Sequence, residues 1–489
     1  MIVSNRLPII IEKADGRLKA RPASGGLVSA MKVVLNRRGG LWVGWPGVAG
    51  EKNWDSTLDG AAGDLGFKLR SVALNQSEID GFYSGFSNQV IWPLFHDLQT
   101  RCNFALDFWR YYLSVNHKFA QTIFRMRRGS DIIWVHDYHL IHLARMLRPM
   151  GVGKRIVFFL HIPFPTPEIF VKLPWRGDIL QALLEYELIG FQTLRDRRNF
   201  QHCLQFLLKD VKIEGRGAVV TARIGTRKVR LGAFPIGIDY RAFARRAVNR
   251  DILARALWLQ DAMGSSQIIL GVDRLDYTKG LPERLRVFNH ALQRYPELLK
   301  RVTLVQVVVP SRTMVPEYQA LKAEIEQLVG EVNGRFTHDG WVPIHYIYRS
   351  LDRDELIAHY RAADIGMITP LKDGMNLVAK EFCACCVKED GVLILSEFAG
   401  AAAQLYRGAL LVNPYDIRGA SEAIYNAFRM PRDERRRRMR LMRDNIRRQD
   451  VSWWADTFLS ATEPKRDDQV PVPPEYVPRI EQEFGTARR

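Results

Sequence analysis

The sequence predicts an α/β protein made of two doubly wound domains, each with a largely parallel sheet. Its 489 residues are too many for one hydrophobic core, so two or more domains are expected. Short apolar runs alternate with longer amphipathic stretches, the rhythm of strands and crossover helices. The alternation breaks at residues 235–238 and then restarts, which places a hinge near 236–240. Because such sheets bind ligands beyond the carboxyl ends of their strands, the cleft between the domains is the expected site.

The first domain is predicted from short apolar strands separated by helices. The first predicted strand is a stub at Ile2 and Val3, directly after Met1, and whether the true start of the chain lies upstream stays open. A hairpin-like pair of strands, 217–222 and 228–234, ends the series. The other predicted elements are strands at 41–45, 131–136, 155–160 and 188–191 and helices at 27–35, 104–125 and 139–148.

The second domain repeats the pattern after the hinge. Its predicted strands are 268–272, 302–309, 365–369, 392–395 and 410–412, and its predicted helices are 282–296 and 314–330. The chain as a whole is expected to divide into four regions. These are a first domain at 1–236, a second domain at 237–450, a helix at 451–463 that packs back on the first domain, and a tail at 464–489.

An arginine-rich segment at 432–448 ends the second domain. It holds nine arginines and three acidic residues, a net charge of 9 − 3 = +6. Met439, Met442 and Ile446 recur at helical spacing, which favours a docked helix with a solvated basic face over a nucleic-acid-binding segment. The tail from residue 464 contains five prolines, so we expect it to be extended or disordered.

The composition narrows the class of protein. The chain is 47% hydrophobic and 25% charged, as in ordinary globular domains, and no stretch is long and apolar enough to span a membrane. Its five cysteines form no paired Cys-x-x-Cys units and its N-terminus shows no leader pattern, which favours the cytoplasm. Lys and Arg outnumber Asp and Glu by 71 − 53 = +18. That excess predicts an anionic partner: a phosphorylated small molecule, a membrane surface or nucleic acid.

Residues 373–381 are the first candidate for ligand binding. The predicted strand 365–369 ends at a proline, a polar loop with a glycine follows, and a helix starts after Asn376. A helix N-terminus offers free N–H groups and partial positive charge, which suit a phosphate or a sugar hydroxyl. Asp373 and Asn376 are placed to hydrogen-bond such a ligand, and Glu381 follows about one turn into the helix. The alternative is an ordinary strand-to-helix turn capped by an aspartate.

Basic residues follow two other strands of the second domain. Arg274 and Lys279 lie in the loop after strand 268–272, and Arg312 comes after strand 302–309. Cations at the carboxyl end of a strand suit a diphosphate, because they neutralise charge that grows on a departing phosphate oxygen. The alternative is a solvated loop, which this position disfavours.

Two glycines, Gly25 and Gly26, open the first long predicted helix. They would let backbone amides approach a phosphate closely, although a Gly-Gly pair taken alone favours a plain turn. The sequence contains neither a Gly-x-Ser-x-Gly nucleophile elbow nor a Walker lysine loop.

Several histidines surround Asp137 in the sequence. His139 and His142 are close enough to share a helix face, but no matching acid or cysteine cluster lies nearby, so a metal site is disfavoured. Asp137 follows a buried strand and is better interpreted as a residue that binds a sugar hydroxyl. His161 also ends a predicted strand, and a functional role and a buried structural role both stay open. Asp137 and Asp373 could face each other across the cleft as a carboxylate pair.

The motifs together resemble one family, the trehalose-6-phosphate synthases, which are retaining glycosyltransferases of the GT-B architecture. The resemblance runs from Ser4 to about Trp454, nearly the whole chain. Several of its blocks are long and distinctive, and they occur in the order of the family. They are Ser24-Gly25-Gly26-Leu27, Trp92-Pro93-Leu94-Phe95-His96, Trp134-Val135-His136-Asp137-Tyr138-His139-Leu140, Phe159-Leu160-His161-Ile162-Pro163-Phe164-Pro165, Asp273-Arg274-Leu275-Asp276-Tyr277-Thr278-Lys279-Gly280 and 373–381.

The resemblance implies a fold and a reaction. Two Rossmann-like domains would face each other across a deep cleft, the first binding the acceptor and the second the nucleotide sugar. Glucose would pass from UDP-glucose to glucose 6-phosphate with retention, giving α,α-trehalose 6-phosphate and UDP. The implied partners are these two small molecules, without a membrane, a metal or another cofactor. Nucleic acid is disfavoured, and the oligomeric state, a homo-oligomer included, stays open.

The resemblance also implies roles for the residues at matching positions. The acceptor would be held by Arg6, Tyr83, Trp92, Asp137 and Arg312. The donor would be held by Gly25, Gly26, His161, Arg274, Lys279, Leu351, Asp373, Gly374, Met375, Asn376, Leu377, Val378, Ala379, Lys380 and Glu381. Arg274 and Lys279 would grip the diphosphate, and Glu381 would meet the ribose. The catalytic group would be Asp137, His161, Arg274, Lys279 and Asp373, with the leaving phosphate itself helping to deprotonate the acceptor hydroxyl.

Two positions depart from the family pattern. Ser114 stands where the family often has a basic residue, and Leu351 falls where a bulkier residue can meet the uracil, so the donor base stays open. A relative that glucosylates another phosphorylated acceptor, such as glycerol 3-phosphate, is disfavoured by Arg6 and by the glycine pair. A catalytically silent sugar-phosphate sensor is disfavoured by the intact set of site residues. The blocks are followed by no phosphatase motif.

Overall fold

The structure, a computed structural model, consists of two α/β units, each built on its own sheet. It describes residues 1–14, 17–22, 26–50, 54–55, 58, 66–264, 266–312, 315–463 and 469–478.

The first sheet has nine strands. It uses β1 and β4 to β11, while β2 and β3 form a separate antiparallel hairpin. The order across the sheet is β5-β4-β1-β6-β7-β8-β11-β10-β9, parallel as far as β11 and antiparallel beyond it. The strands are β1 (Ile2–Arg6), β2 (Ile9–Ala14), β3 (Arg17–Pro22), β4 (Leu41–Trp45), β5 (Lys68–Ser71), β6 (Ile133–His136), β7 (Ile156–Phe159), β8 (Leu188–Phe191), β9 (Val211–Glu214), β10 (Val219–Ile224) and β11 (Arg227–Ala233).

The second sheet has six parallel strands. Their order, β14-β13-β12-β15-β16-β17, is that of a doubly wound sheet. Successive strands are added in one direction from β12 to β14 and in the opposite direction from β15 to β17, so the order reverses between β12 and β15. The strands are β12 (Gln267–Arg274), β13 (Val302–Val309), β14 (Ile344–Tyr348), β15 (Ile365–Ile368), β16 (Val392–Ser396) and β17 (Leu410–Val412).

Helices cover both sheets, which buries the central strands on both faces. Every residue of β6, β7, β8, β15 and β16 is buried, which explains why they are nearly uninterrupted apolar runs. The helices of the first half are Gly26–Arg38, Gln76–Glu78, the π-helix Ile79–Ile91, Trp92–Phe95, Leu106–Met126, Leu143–Leu147, Pro167–Phe170, Arg176–Leu183 and Leu194–Leu207. Those of the second half are Tyr240–Arg246, Arg250–Ala262, Leu281–Arg294, Pro316–Phe336, Arg353–Ala362, Leu377–Cys385, Ala402–Leu405, Ile417–Arg429, Arg432–Arg448 and Val451–Ser460. Single 3₁₀ turns lie at Gln99–Arg101, Tyr138–Leu140, Tyr277–Lys279 and Pro296–Leu298.

The chain returns to the first unit near its end. Helix Val451–Ser460 lies against the first sheet, where the rings of Trp454 and Phe458 are 5.3 and 4.7 Å from that of Trp134. The start of this helix lies beside the hinge, because the amide of Val451 donates to the carbonyl of Ile238 at 3.0 Å. The two units are therefore joined twice, at adjacent points.

The arginine-rich helix Arg432–Arg448 is docked as predicted. Met439, Met442 and Ile446 are buried, which confirms the apolar face. Two of its arginines also serve the fold, since Arg435 donates to the carbonyls of 427, 428 and 430 and Arg443 to those of 383 and 384.

Part of the proline-rich tail contacts both units. Residues 469–478 contain no helix or strand longer than a single turn and run across the surface. Glu475 forms an ion pair with Arg198 of the first unit, and the hydroxyl of Tyr476 donates to Glu397 of the second at 3.4 Å. The other tail residues, 464–468 and 479–489, lie outside the described residues. Within the described ranges, no helix combines the length and the apolar character needed to cross a membrane.

Candidate active site

The two sheets present their topological switch points to a common cleft. In the first sheet the reversal lies between β1, which ends at Arg6, and β6, which is followed by Asp137. In the second it lies between β12, which ends at Arg274, and β15, which leads to Asp373. Ligands of doubly wound sheets bind at such points. The fold thus brings together the four strand ends at which the sequence predicted functional side chains.

The loop from Asp373 to Asn376 is held by its own side chains. The Asp373 carboxylate accepts hydrogen bonds from the Met375 amide at 3.3 Å and from the Asn376 side chain at 3.1 Å. Asn376, at a left-handed φ of 75°, accepts the Ala379 amide at 3.2 Å and caps helix Leu377–Cys385. These hydrogen bonds hold the loop within the chain itself, and the helix N-terminus that follows it carries partial positive charge.

Glycines allow this loop to touch the first unit. A Cβ atom at Gly374 would collide with the backbone carbonyl of His161, so the sequence needs glycine there. A Cβ atom at Gly26 would lie 2.6 Å from the side chain of Leu377. Gly26 therefore lies directly against the 373–381 stretch, while Gly25 lies outside the described residues.

A buried carboxylate, Asp276, organises the cations around Trp92. The guanidinium carbons of Arg274 and Arg312 lie 5.3 and 4.9 Å from the Trp92 ring. Asp276 accepts from Arg274 at 2.9 Å and from the Trp92 indole at 3.3 Å, and it lies 3.7 Å from Arg312. Burial alone would raise the pKa of Asp276, but the two guanidinium groups and Lys279 hold it well below its usual range. One permanent anion thus holds two arginines that come from different strands.

Lys279 forms an ion pair with Asp373 at 2.5 Å. Burial opposes the charge of Asp373, yet the ammonium group keeps the pKa of that carboxyl below its ordinary value. Gly280 follows with a φ of 64° and starts helix Leu281–Arg294. The pair links the loops after β12 and β15, the two sides of the second switch point.

A second cationic group forms around Tyr83. Arg6 lies 4.8 Å from the Trp45 ring, which is itself 5.8 Å from the Tyr83 ring. Burial lowers the pKa of Arg6, and the nearby Tyr83 partly offsets that effect. Burial also opposes the charge of Arg312, but neighbouring tyrosines, Tyr83 among them, raise its pKa. Tyr83 is thus within electrostatic reach of Arg6 from the first unit and of Arg312 from the second. Two such cations are suitable for a phosphate dianion.

Asp137 sits in strained backbone at the end of β6. Its φ is 72°, in the left-handed region, and its carboxylate accepts the His161 amide at 3.3 Å. Burial raises the pKa of Asp137 to about 7, against the opposing effect of backbone hydrogen bonds and Arg274. The group therefore titrates near neutrality. It can accept a hydrogen bond from a sugar hydroxyl when it is ionised and donate one to it when it is protonated.

The predicted histidines have packing partners. His139 stacks on Tyr83 with ring centres 6.0 Å apart, and His142 lies edge-on to Trp109 at 5.1 Å. Burial lowers the pKa of each to about 3, so both are neutral. Across the part of the chain that the structure describes, no group of three or more His, Cys, Asp or Glu side chains could hold a metal ion.

Three residues that were predicted to hold the donor have side chains that contact other parts of the chain. The Lys380 ammonium is buried and donates to the carbonyl of Ile236 and to Gln404, both at 2.6 Å, so it serves the hinge. Glu381 accepts the hydroxyl of Tyr360 at 2.8 Å, and burial raises its pKa. Leu351 is half-buried against the core of the second unit.

Three residues of the site were not singled out by sequence. Asp276, Gln192 and Tyr318 organise the predicted residues: Asp276 joins the cations, Gln192 contacts His161, and Tyr318 accepts from Arg312. Position offered a signal for two of them, because Gln192 follows β8 directly and Asp276 follows β12 by two residues. Tyr318 lies in a helix and offered no such signal.

The comparisons with known proteins agree with this geometry. A model of glycosyltransferase family 20 matches residues 1–463. The chain belongs to glycosyltransferase family 20. The resemblance inferred from its motifs is therefore confirmed.

Family 20 relatives cover almost the whole chain. The trehalose-6-phosphate synthases of Mycobacterium bovis and Mycobacterium avium are 41% and 42% identical over 469 residues, 94% of this chain and 94% of each relative. A Burkholderia xenovorans α,α-trehalose-phosphate synthase (UDP-forming), in complex with glucose-6-phosphate, superposes with a TM-score of 0.86 at 36% identity, covering 94% of this chain and 99% of that one. An E. coli structure described as "Trehalose-6-phosphate from E. coli bound with UDP-2-fluoro glucose" has a TM-score of 0.84 at 37% identity, with coverage of 94% and 99%. The predicted two-domain GT-B fold is confirmed.

Proposed function

We propose that this member of family 20 is an α,α-trehalose-phosphate synthase that transfers glucose from UDP-glucose to glucose 6-phosphate with retention and releases UDP. The observation that carries the proposal is the pair of cationic groups at facing switch points. Arg6 and Arg312 both lie near Tyr83. Arg274 is the last residue of β12, and Lys279 lies in the turn that follows it. One group suits a monophosphate and the other a diphosphate.

The donor would lie along the second unit. Its diphosphate would meet Arg274 and Lys279, and its glucose would meet the loop 373–376, whose side chains are already fixed. The first turn of helix Leu377–Cys385 would face the nucleotide, with Glu381 on the ribose. Lys380 would contribute through its backbone, since its ammonium is engaged at the hinge.

The acceptor would lie along the first unit. Its phosphate would bind Arg6, Tyr83 and Arg312, its ring would face Trp92, and Asp137 would hydrogen-bond a hydroxyl. Arg312 belongs to both groups of cations through Asp276, so it would hold the acceptor phosphate close to the donor diphosphate.

The chemistry that we propose is electrostatic. As the bond from glucose to the diphosphate breaks, negative charge grows on the leaving oxygen, where Arg274 and Lys279 would stabilise it. The acceptor hydroxyl would approach from the same face and pass its proton to that oxygen. Asp373, already paired with Lys279, would hold the sugar and keep the ammonium in place. No metal or other cofactor takes part in this scheme, and a cytoplasmic location supplies both substrates.

The relatives support the choice of substrates. The Burkholderia structure is a complex with glucose-6-phosphate, and the E. coli structure holds UDP-2-fluoro glucose. At 36% and 37% identity over 94% of the chain, the same pair is the simplest assignment here.

A UDP-release assay over a panel of nucleotide sugars and phosphorylated acceptors tests the proposal. We expect turnover with UDP-glucose plus glucose 6-phosphate and a product that a phosphatase converts to α,α-trehalose. Turnover with another pair only, such as glycerol 3-phosphate as acceptor, would overturn it. Tight binding of both substrates without turnover would support the sensor alternative instead.

A further inference from the structure

The imidazole of His161 has a hydrogen-bonding partner at each ring nitrogen. Nε2 lies 3.0 Å from Nδ1 of His136, and Nδ1 lies 3.3 Å from the side-chain nitrogen of Gln192. His161 sits between Asp137, which accepts its amide, and Gly374, which abuts its carbonyl. Its orientation is thus set at the place where the two proposed substrates would meet.

The hinge backbone decides which way the Gln192 amide points. The amide of Ile236 donates to Oε1 of Gln192 at 3.0 Å. A backbone N–H can only donate, so the atom facing it must be the oxygen of Gln192 and the atom facing His161 must be the nitrogen. This removes the usual ambiguity in the orientation of a glutamine side chain.

The orientation of Gln192 in turn selects one tautomer of His161. The amide nitrogen of glutamine is only a donor, so Nδ1 of a neutral His161 must accept and the proton must lie on Nε2. Nε2 then donates to Nδ1 of His136, which places the proton of His136 on its own Nε2. Burial lowers the pKa of His161 to about 3 and that of His136 well below its ordinary value, so both rings are neutral.

The same hinge residue is also held from the other unit. The carbonyl of Ile236 accepts from Lys380, which lies in the helix that begins at the 373–376 loop. One residue of the hinge therefore contacts, through its N–H, the support of His161 and, through its carbonyl, the helix of the donor loop.

We propose that Gln192 is a positioning residue that holds His161 as the Nε2–H tautomer and couples the orientation of this ring to the hinge at Ile236. The role of His161 towards the donor sugar rests on the proposed function. The tautomer does not, because it follows from contacts within the chain.

Two substitutions of Gln192 distinguish the effect of its hydrogen bond to His161 from the effect of its hydrogen bond to the hinge. Gln192→Glu keeps an oxygen for the Ile236 amide but replaces the donor to His161 by a carboxylate oxygen, so Nδ1 must now carry the proton. Gln192→Leu removes both contacts. Gln404→Glu is the matched control, because Gln404 is another buried glutamine beside the hinge that accepts from Lys380 and does not contact His161.

The readout is ¹⁵N NMR of histidine-labelled full-length protein at neutral pH without substrate, with the His161 signals assigned by their loss in His161→Asn. We expect the Nε2–H form in the wild type and in Gln404→Glu, protonation at Nδ1 in Gln192→Glu, and a mixture of tautomers in Gln192→Leu. An Nδ1–H form in the wild type would overturn the proposal even if the variants failed to fold. An unchanged Nε2–H form in both folded Gln192 variants would overturn it as well.

Activity provides a second, separate measurement. We expect Gln192→Glu to lower kcat about tenfold, the effect of one lost neutral hydrogen bond, with little change in the affinity for UDP. If the wild type did not make trehalose 6-phosphate at all, the proposed function would fail while the NMR result still decided the tautomer. A changed tautomer with unchanged kcat would show that the ring orientation is not coupled to the reaction.

Discussion

Lys279 and Asp373 form an ion pair, 2.5 Å long, that joins the loops after β12 and β15. The pair lies at the switch point of the second sheet, where a nucleotide sugar is expected to bind. Because the ammonium is held by a carboxylate, it is already in place when a diphosphate arrives and need not be ordered by it. This preorganisation is what makes a charged group effective on a developing negative charge.

Replacing Lys279 by alanine should therefore reduce turnover more than ground-state binding. We expect kcat to fall about 10²- to 10³-fold, the usual cost of removing one group that stabilises transition-state charge. The measurement is steady-state UDP release at saturating substrates. Lys300→Ala is the matched control, because Lys300 pairs with Asp339 on the exposed surface. A Lys279→Ala enzyme as active as this control would contradict the role.

Arg312→Ala should affect the acceptor more than the nucleotide. The Arg312 side chain touches Trp92, Tyr318 and, at 3.7 Å, Asp276, in the group assigned to the acceptor phosphate. Loss of a charged hydrogen bond costs about 1.5–3 kcal/mol, so we expect KM for glucose 6-phosphate to rise roughly ten- to hundredfold. Calorimetry should show nearly unchanged UDP binding. Arg274→Ala should show the opposite preference, and equal losses of both ligands in Arg312→Ala would refute the assignment.

Asp137 should give the reaction a pH dependence near neutrality. Burial raises its pKa to about 7, so the carboxylate that can accept a hydrogen bond from the acceptor forms as the pH rises through that value. We expect kcat/KM for glucose 6-phosphate to rise over the same range and the rise to be absent in Asp137→Asn. Arg274 lowers the pKa of Asp137, so Arg274→Ala should move the rise to higher pH.

The raised pKa of Asp137 also predicts how the stability of the protein changes with pH. The folded pKa, about 7, exceeds the ordinary value of 3.8, so between these values the unfolded chain loses a proton that the folded protein keeps. The contribution of Asp137 to stability is complete below pH 3.8 and is lost as the pH rises to about 7. Asp137→Asn should therefore melt at a higher temperature than the wild type above neutrality and at a similar temperature in acid. Parallel melting curves across this range would contradict the raised pKa.

The tail should hold the two units together. Glu475 pairs with Arg198 of the first unit and Tyr476 reaches Glu397 of the second, so a chain ending at residue 463 lacks both contacts. Exposed pairs of this kind are worth about 0.2–1 kcal/mol each, so we expect a small fall in melting temperature and a larger mean radius in solution scattering. The Arg198→Glu/Glu475→Arg double variant should restore the compact form that Glu475→Arg alone loses. Identical scattering from the wild type, the shortened chain, Glu475→Arg and the double variant would show that the tail does not hold the two units together.

The chemistry should not depend on a bound metal. Prolonged dialysis against a chelator is expected to leave kcat for UDP-glucose and glucose 6-phosphate unchanged, because Arg274 and Lys279 are assigned the charge neutralisation that a divalent ion would supply. The measurement is UDP release before and after dialysis, with readdition of Mg²⁺ and Mn²⁺. Activity that disappears with the chelator and returns with one of the ions would show that Arg274 and Lys279 alone do not neutralise the charge.

The central strands could be predicted because burial makes their composition plain. β4 and β13 occupy the residues expected from their apolar runs, 41–45 and 302–309, since parallel strands covered on both faces tolerate few polar side chains. Two of the edge strands, β14 and β9, were missed for the converse reason. β14 contains His345 and two tyrosines and is mostly half-buried, and β9 alternates with two charged residues. Neither forms a continuous apolar run.

The positions of the candidate site residues could be predicted at strand ends, but their partners could not. Arg274, Lys279 and Asp373 stood out because each follows a strand of a doubly wound sheet. Their pairing depends on contacts between loops almost a hundred residues apart, as in Lys279 and Asp373, whose numbers differ by 94. Lys380 shows the limit most clearly. Its place in the motif pointed to the nucleotide, whereas its long side chain turns to a hinge carbonyl.

The packing of helix Val451–Ser460 on the first sheet has a consequence for the order of folding during synthesis. Trp454 and Phe458 complete the apolar surface formed by Trp134 and Phe159, yet they are made only after the entire second unit. The unit that leaves the ribosome first is thus finished last, and its exposed aromatic surface is open to chaperones or to aggregation until translation has almost ended.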